Sequence, residues 1–255
     1  MEQPLNGKIA IVAGATGGIG RAVVERLAQD GAMVIAAGRN TQKLSELTEL
    51  GVNIVTHEAD VSIESKARDL VARAERDFGG LDLLFNGAGI VGESALIEDQ
   101  SLENFNKVMS INVNGTFLMM KYAIPAMRKR GGGAIINVSS AAGVQGGRAT
   151  MPVYCASKHA VIGLTRVGAK AHAGENIRIN VICPGQIDTD MLAAVEKDGS
   201  TGDPVEDRKR VIGAIPAGRY GDTSEVAALT AFLSQDDAKF INGSIYTIDG
   251  AFTPF

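Results

Sequence analysis

The chain has 255 residues, with 25 Lys and Arg against 29 Asp and Glu and a formal net charge of -4. That length carries one large α/β unit with a sizeable core. The slight acidity speaks against a nucleic-acid-binding face, and two Cys exclude a disulfide scaffold. Glycine is the outlying count, at 31 residues or about 12%, against a usual ~7%. With only 7 Pro and 45% hydrophobic residues, the surplus belongs to turns and close backbone approaches rather than to disorder.

The N-terminus has no basic segment followed by a long apolar run, and no run approaches membrane-spanning length. The expectation is a soluble, cytoplasmic protein without a membrane partner, its thiols Cys155 and Cys183 suiting a reducing compartment. Short Val- and Ile-rich runs at 9–13, 33–37, 53–56, 81–85, 134–138, 178–182 and 244–248 read as strands buried on both faces. Amphipathic stretches at 20–29, 41–50, 64–78, 102–130, 153–173 and 224–233 read as helices. The alternation predicts α/β: a doubly wound, Rossmann-type sheet of seven mainly parallel strands with helices on both faces. It predicts one dinucleotide-binding and catalytic domain over 1–255. A polar insert at about 190–214 is expected to act as a substrate lid.

The first strand runs directly into Gly14, Ala15, Thr16, Gly17, Gly18, Ile19 and Gly20, and a helix follows. A strand, a glycine turn and a helix N-terminus together make an anion site: free N–H groups and the positive helix end face one point. Glycines let a pyrophosphate approach the backbone, although a Gly-rich tight turn alone is weak evidence. The second strand ends at Gly38 and Arg39. No carboxylate stands there for the ribose hydroxyls, and a cation does. This favours NADP(H) over NAD(H), with NAD(H) possible; a solvated, loop-capping Arg39 is the bland alternative. Asp60, before Val61, suits either an adenine amino group or the capping of the next helix. Asn86, Gly87, Ala88 and Gly89 end the fourth strand with small residues that admit a flat ligand.

Tyr154 and Lys158 stand four apart on a predicted helix and share a face. An ammonium near a phenol favours phenolate, as a general acid/base requires. Alone, such a pair is more often a surface accident. Its setting matters: Ser139 and Ser140 end the fifth strand, at the sheet edge where this fold places ligands. His57, His159 and His172 show no metal-ligand spacing with each other or with the two Cys, so no metal site is expected.

Taken together, these motifs resemble the short-chain dehydrogenase/reductase family over almost the whole chain. The matching residues are Gly14, Gly18 and Gly20; Asn86 to Gly89; Asn112; Ser140; Tyr154 and Lys158; and Pro184, Gly185 and Thr189. Ala13, Gly87 and Ala251 depart from the family's usual residues without removing a catalytic group. The resemblance implies hydride transfer between the cofactor and an alcohol or ketone. In it Tyr154 moves the proton, Lys158 lowers the Tyr154 pKa and holds the nicotinamide ribose, Ser140 binds the substrate oxygen, and Asn112 anchors a relay water. Thr189 and the Ile187 backbone would hold the nicotinamide carboxamide. Ser140 rather than Ser139 is chosen from its distance to Gly143. Substrate-lining candidates are Ile90, Val91, Ala141, Ala142, Met151, Gln186, Met191 and Leu192, a mostly apolar set. Arg148 is the cation nearby.

A 3-oxoacyl-carrier reductase and a nonenzymatic dinucleotide sensor remain alternatives. The basic run Arg128, Lys129 and Arg130 suits either a helix C-terminus or an acidic carrier. The resemblance also implies a homotetramer built on the long helices, with the apolar C-terminal tail at an interface or near a neighbour's site.

Overall fold

A computed structural model describes residues 3–197 and 202–253. The centre of the expected lid and residues 254–255 of the tail lie outside the described residues. The strands are β1 (Ile9–Ala13), β2 (Met33–Gly38), β3 (Ile54–Glu58), β4 (Leu83–Asn86), β5 (Gly133–Val138), β6 (Ile177–Pro184) and β7 (Ile245–Ile248). They form a seven-stranded sheet in the order β3-β2-β1-β4-β5-β6-β7, and every neighbouring pair is parallel. The chain winds outward from β1 to β3, then returns to lay β4 on the other side of β1. That reversal opens a crevice at the carboxyl ends of β1 and β4.

The helices are α1 (Gly18–Gln29), α2 (Thr41–Leu47), α3 (Glu64–Phe78), α4 (Leu102–Met109), α5 (Gly115–Lys129), α6 (Pro152–His172), α7 (Asp190–Lys197), α8 (Pro204–Gly213) and α9 (Thr223–Ser234). Every residue of β1 is buried, and its side chains alternate between two cores. Ala10 and Val12 pack with Val23, Leu27 and Val226 from α1 and α9. Ile9, Ile11 and Ala13 pack with Leu70, Met119 and Met127 from α3 and α5. This is the period-two pattern of a strand covered on both sides.

Two expected boundaries change for local reasons. The single helix expected over 102–130 is interrupted by a π-turn at Ser110–Asn114 between α4 and α5. The extra residue in that turn rotates Asn112 inward, where it is buried. The helix expected over 41–50 ends at Leu47, and its last residues tighten into a 3-10 turn. The expected lid contains α7 and α8, with Asp203 Oδ1 accepting from Val205 N at 2.9 Å to cap α8.

Candidate active site

The carboxyl ends of the strands line a cleft of about 760 Å³. At one end, Gly14 takes φ +81° and Gly17 N donates to Gly14 O at 3.1 Å, closing a tight turn. A Cβ on Gly20 would stand 2.1 Å from Gly14 O, and one on Gly14 would stand 2.6 Å from the Gly87–Ala88 backbone. No side chain caps α1, so its first N–H groups remain available to an anion. Turn and uncapped helix together fit a pyrophosphate. Thr16, Ile19, Val61, Ala88, Gly89, Pro184, Gly185, Ile187 and Thr189 line the same cleft. Thr189 packs on the turn: a Cβ on Gly18 would meet its Cγ2 at 2.9 Å.

Arg39 lies at the far end with Nη1 3.8 Å from Asp60 Oδ2. Asp60 Oδ1 accepts from Ser62 N at 3.0 Å and from Ser62 Oγ at 2.6 Å. It thus closes the turn before α3 while also lining the cleft; Ile63, not Asp60, is the residue that precedes α3. Sequence reading passed over Lys43, which reaches across the cleft to Asp190 Oδ2 at 3.5 Å. Its signal was its position four residues after Arg39. Asn86 departs from its expected place: it is buried, and Nδ2 donates to Asn137 Oδ1 at 2.9 Å. The cleft wall there is built by Gly87, Ala88 and Gly89.

The middle of the cleft holds Ser140, Tyr154 and Lys158. Pro152 starts α6, and the helical spacing puts Tyr154 and Lys158 on the cleft side, with Lys158 Nζ 5.5 Å from the phenol ring centre. The Ser140 hydroxyl faces that of Tyr154 and favours its ionised form, while Ser140 Oγ accepts from Ala142 N at 3.2 Å. Ser139 points the other way, donating from Oγ to Lys158 O at 2.8 Å, so it pins α6 to β5. Lys158 is 6% exposed and donates from Nζ to Val138 O at 3.0 Å. Burial lowers its pKa to about 8. Burial raises the pKa of the Tyr154 phenol, and the Ser140 hydroxyl beside it opposes that rise. A bound cation or a closer ammonium is what would bring this phenol into a working range.

Asn112 does not line the cleft. Its Oδ1 accepts from Ile90 N at 2.8 Å, and its Nδ2 donates to Ile90 O at 2.9 Å and to Ser157 Oγ at 3.0 Å. Ser157 Oγ donates to Tyr154 O at 2.7 Å. Asn112 therefore joins the loop after β4 to the helix that carries Tyr154.

Val91, Ala141, Ala142, Met151, Gln186, Met191 and Leu192 line the other end, together with Val195, Val211 and Phe252. Ile90 lines an adjoining groove instead. The orientation of Val195 and Val211 depends on how the insert folds, which no periodicity reveals. Phe252 arrives through a turn with Gly250 and Ala251 at φ +62° and +66°, held by Asp249 Oδ1 accepting from Ala251 N at 3.1 Å. Arg148 Nη1 donates to Val195 O at 3.2 Å, tying the cleft wall to α7.

The three basic residues at the end of α5 are each paired: Arg128 with Glu175, Lys129 with Glu75 and Arg130 with Asp82. His57 faces Asp69, His172 faces Glu175, and His159 Nδ1 lies 2.9 Å from Cys155 O. No helix among the described residues is long and apolar enough to cross a membrane.

A family model described as enoyl-(acyl carrier protein) reductase matches residues 14–253. Cyclohexanol dehydrogenase from Acinetobacter sp. is 37% identical over 99% of this chain and 98% of its own length. A 3-oxoacyl-[acyl-carrier-protein] reductase from Thermotoga maritima is 33% identical over 96% and 98%. The crystal structure of levodione reductase superposes with a TM-score of 0.94 at 33% identity, covering 98% of this chain and 100% of that one. Matched over nearly its full length by oxidoreductases of alcohols and ketones, the chain belongs to the short-chain dehydrogenase/reductase family.

Proposed function

We propose that this protein is an NADP(H)-dependent oxidoreductase of secondary cyclic alcohols and their ketones, with Tyr154 as general acid/base. The observation that carries the reading is the meeting of Ser140, Tyr154 and Lys158 in one cleft with an uncapped, glycine-cradled helix end. A nicotinamide held in this cleft would supply or accept the hydride. Tyr154 moves a proton between its hydroxyl and the substrate oxygen. Ser140, beside that hydroxyl, stabilises charge on the same oxygen. Lys158, moved closer to the phenol, would bring the positive charge that favours phenolate and would hold the ribose, and Asn112 positions Tyr154 through Ser157, where a relay water would sit. Thr189 and the Ile187 backbone would hold the carboxamide.

Two exposed cations, Arg39 and Lys43, stand at the adenosine end of the cleft, which supports NADP(H). The apolar wall supports a hydrocarbon ring, as do relatives named for cyclohexanol and levodione. The paired state of Arg128, Lys129 and Arg130 weighs against a carrier-protein dock. An intact Ser140, Tyr154 and Lys158 cluster weighs against a sensor without activity. The whole chain acts as one unit in which α7 and α8 form the lid. Exposed Leu102, Phe105 and Val167 on α4 and α6 support assembly into a homotetramer, and the two free thiols suit the cytoplasm. Steady-state rates on cyclohexanol, cyclohexanone, a steroid alcohol and an acetoacetyl thioester, each with both cofactors, test this reading. Highest kcat/KM on the ring compounds with NADP(H) is expected. Preference for the thioester or for NAD(H) would overturn that part.

A further inference from the structure

The last turn of α7 is held by a side chain that the mechanism does not use. Tyr220 lies between α8 and α9, and its main chain is fixed on both sides. Arg219 Nη1 donates to Tyr220 O at 2.9 Å, while the same guanidinium pairs with Glu225 on α9. Gly221 N donates to Gln186 O at 2.9 Å, and Gly221 O accepts from Asp188 N at 3.0 Å, just beyond β6. Tyr220 is 6% exposed, and its hydroxyl donates to Glu196 Oε1 on α7. Burial and then the Glu196 carboxylate raise the pKa of this phenol, so it stays a donor. Arg208 from α8 stacks on the ring, 4.5 Å from its centre, and donates to Asp188 Oδ2 at 2.8 Å. One ring thus gathers both lid helices against the end of the sheet. The neighbour of Glu196 is Val195, which lines the substrate end and whose carbonyl accepts from Arg148 Nη1 at 3.2 Å. Val195 is therefore set between two fixed points: Arg148 on the cleft wall, and Tyr220 acting through Glu196. A hydroxyl on a carboxylate makes a charge-assisted bond, stronger than a neutral one. The bond is only part-buried, so water can replace a lost hydroxyl; α7 then loosens while the core stays intact.

We infer that Tyr220 is a positioning residue for the substrate: through Glu196 it sets the last turn of α7, and with it the Val195 wall of the substrate end. This rests on the alcohol/ketone reading above, which places the substrate at that end of the cleft. The cofactor end meets the opposite end of α7, at Thr189 and Asp190. Loosening the last turn therefore weakens ketone binding and leaves dinucleotide binding and the Ser140, Tyr154 and Lys158 cluster as they are.

The test is steady-state reduction, by NADPH, of the ring ketone that wild type turns over best. The proteins compared are wild type, Tyr220→Phe, Glu196→Leu, their double variant and Glu196→Gln. Tyr220→Phe keeps the ring under Arg208 and removes only the hydroxyl. In it and in Glu196→Leu the KM for the ketone should rise about fivefold or more, with kcat and the KM for NADPH within about twofold. The double variant should be no worse than either single one, since both cut the same bond. Glu196→Gln still offers an oxygen to the hydroxyl, so its ketone KM should stay within about twofold of wild type. An unchanged ketone KM in Tyr220→Phe overturns the inference and leaves the alcohol/ketone reading standing. So does a parallel change in kcat and the KM for NADPH, which is general loosening, or a double variant in which the two effects multiply. No turnover of any ring ketone by wild type overturns both. Should Tyr220→Phe fail to fold, the Glu196 pair decides: equal ketone KM values in Glu196→Leu and Glu196→Gln overturn the inference.

Discussion

The Nζ of Lys158 donates to the carbonyl of Val138 at 3.0 Å, inside the junction between β5 and α6. The ammonium is thus anchored to the strand that delivers Ser140, and burial holds its pKa at about 8, below the ordinary 10.5. Between those values an unfolded chain binds a proton that the folded chain releases, so this group makes stability rise with pH across that window. Buried Cys183 acts in the opposite sense. Its thiol is pushed up to about 11 from 9.0, so it makes stability fall between those values. Lys158 itself lowers that thiol's pKa, so Lys158→Met can only push it higher; with the folded value at about 11 the thiol stays protonated at pH 8 to 9 in both proteins, and its contribution largely cancels in their difference over that interval. The wild-type melting temperature should therefore gain roughly 1–3 °C on that of Lys158→Met between pH 8 and 9. A constant difference across that interval in thermal denaturation contradicts the buried-charge account.

The two serines at the end of β5 face different partners. Ser140→Ala removes the hydroxyl beside that of Tyr154, and kcat should fall by about 10²–10³-fold. Ser139→Ala removes the bond to Lys158 O and leaves Ser140 in place. It should leave kcat within about threefold and cost about 1 kcal/mol of stability. Kinetics together with chemical denaturation separate the two, and the opposite ranking would show that the wrong serine has been placed at the reaction centre.

Arg39 is 62% exposed on its side chain and weakly paired with Asp60, so a phosphate can take it over at little cost. Arg39→Leu should raise the KM for NADP⁺ by about tenfold or more while leaving that for NAD⁺ within about threefold. A parallel change in both constants would make Arg39 a general surface cation rather than a phosphate reader.

The glycine turn has no room for a side chain. Gly20→Ala would put a methyl 2.1 Å from Gly14 O, a clash with backbone that only a rebuilt turn relieves. NADPH binding, followed by its fluorescence, should be lost. Retained affinity would mean that the dinucleotide does not sit on this turn.

Much of this was legible in the chain. The strands announced themselves because burial on both faces demands unbroken aliphatic runs, as in β1. The turn from Gly14 to Gly20 did so because close approach excludes Cβ atoms, and Tyr154 and Lys158 because helical spacing puts them on one face. What was hidden depends on tertiary geometry. The π-turn that rotates Asn112 inward leaves the helical pattern intact on either side. Asn86 reads as a cleft residue until β5 supplies Asn137 as its partner. Val195, Val211 and Phe252 reach the substrate end only through the fold of the insert and a turn of positive φ at Gly250 and Ala251.

Single-turnover reduction of cyclohexanone by NADPH in wild type and Tyr154→Phe tests the central claim most directly. The variant keeps the ring and loses one hydroxyl. It should bind NADPH with unchanged affinity and lose turnover by about 10³-fold or more. Turnover within tenfold of wild type, with NADPH bound, would show that some other group moves the proton.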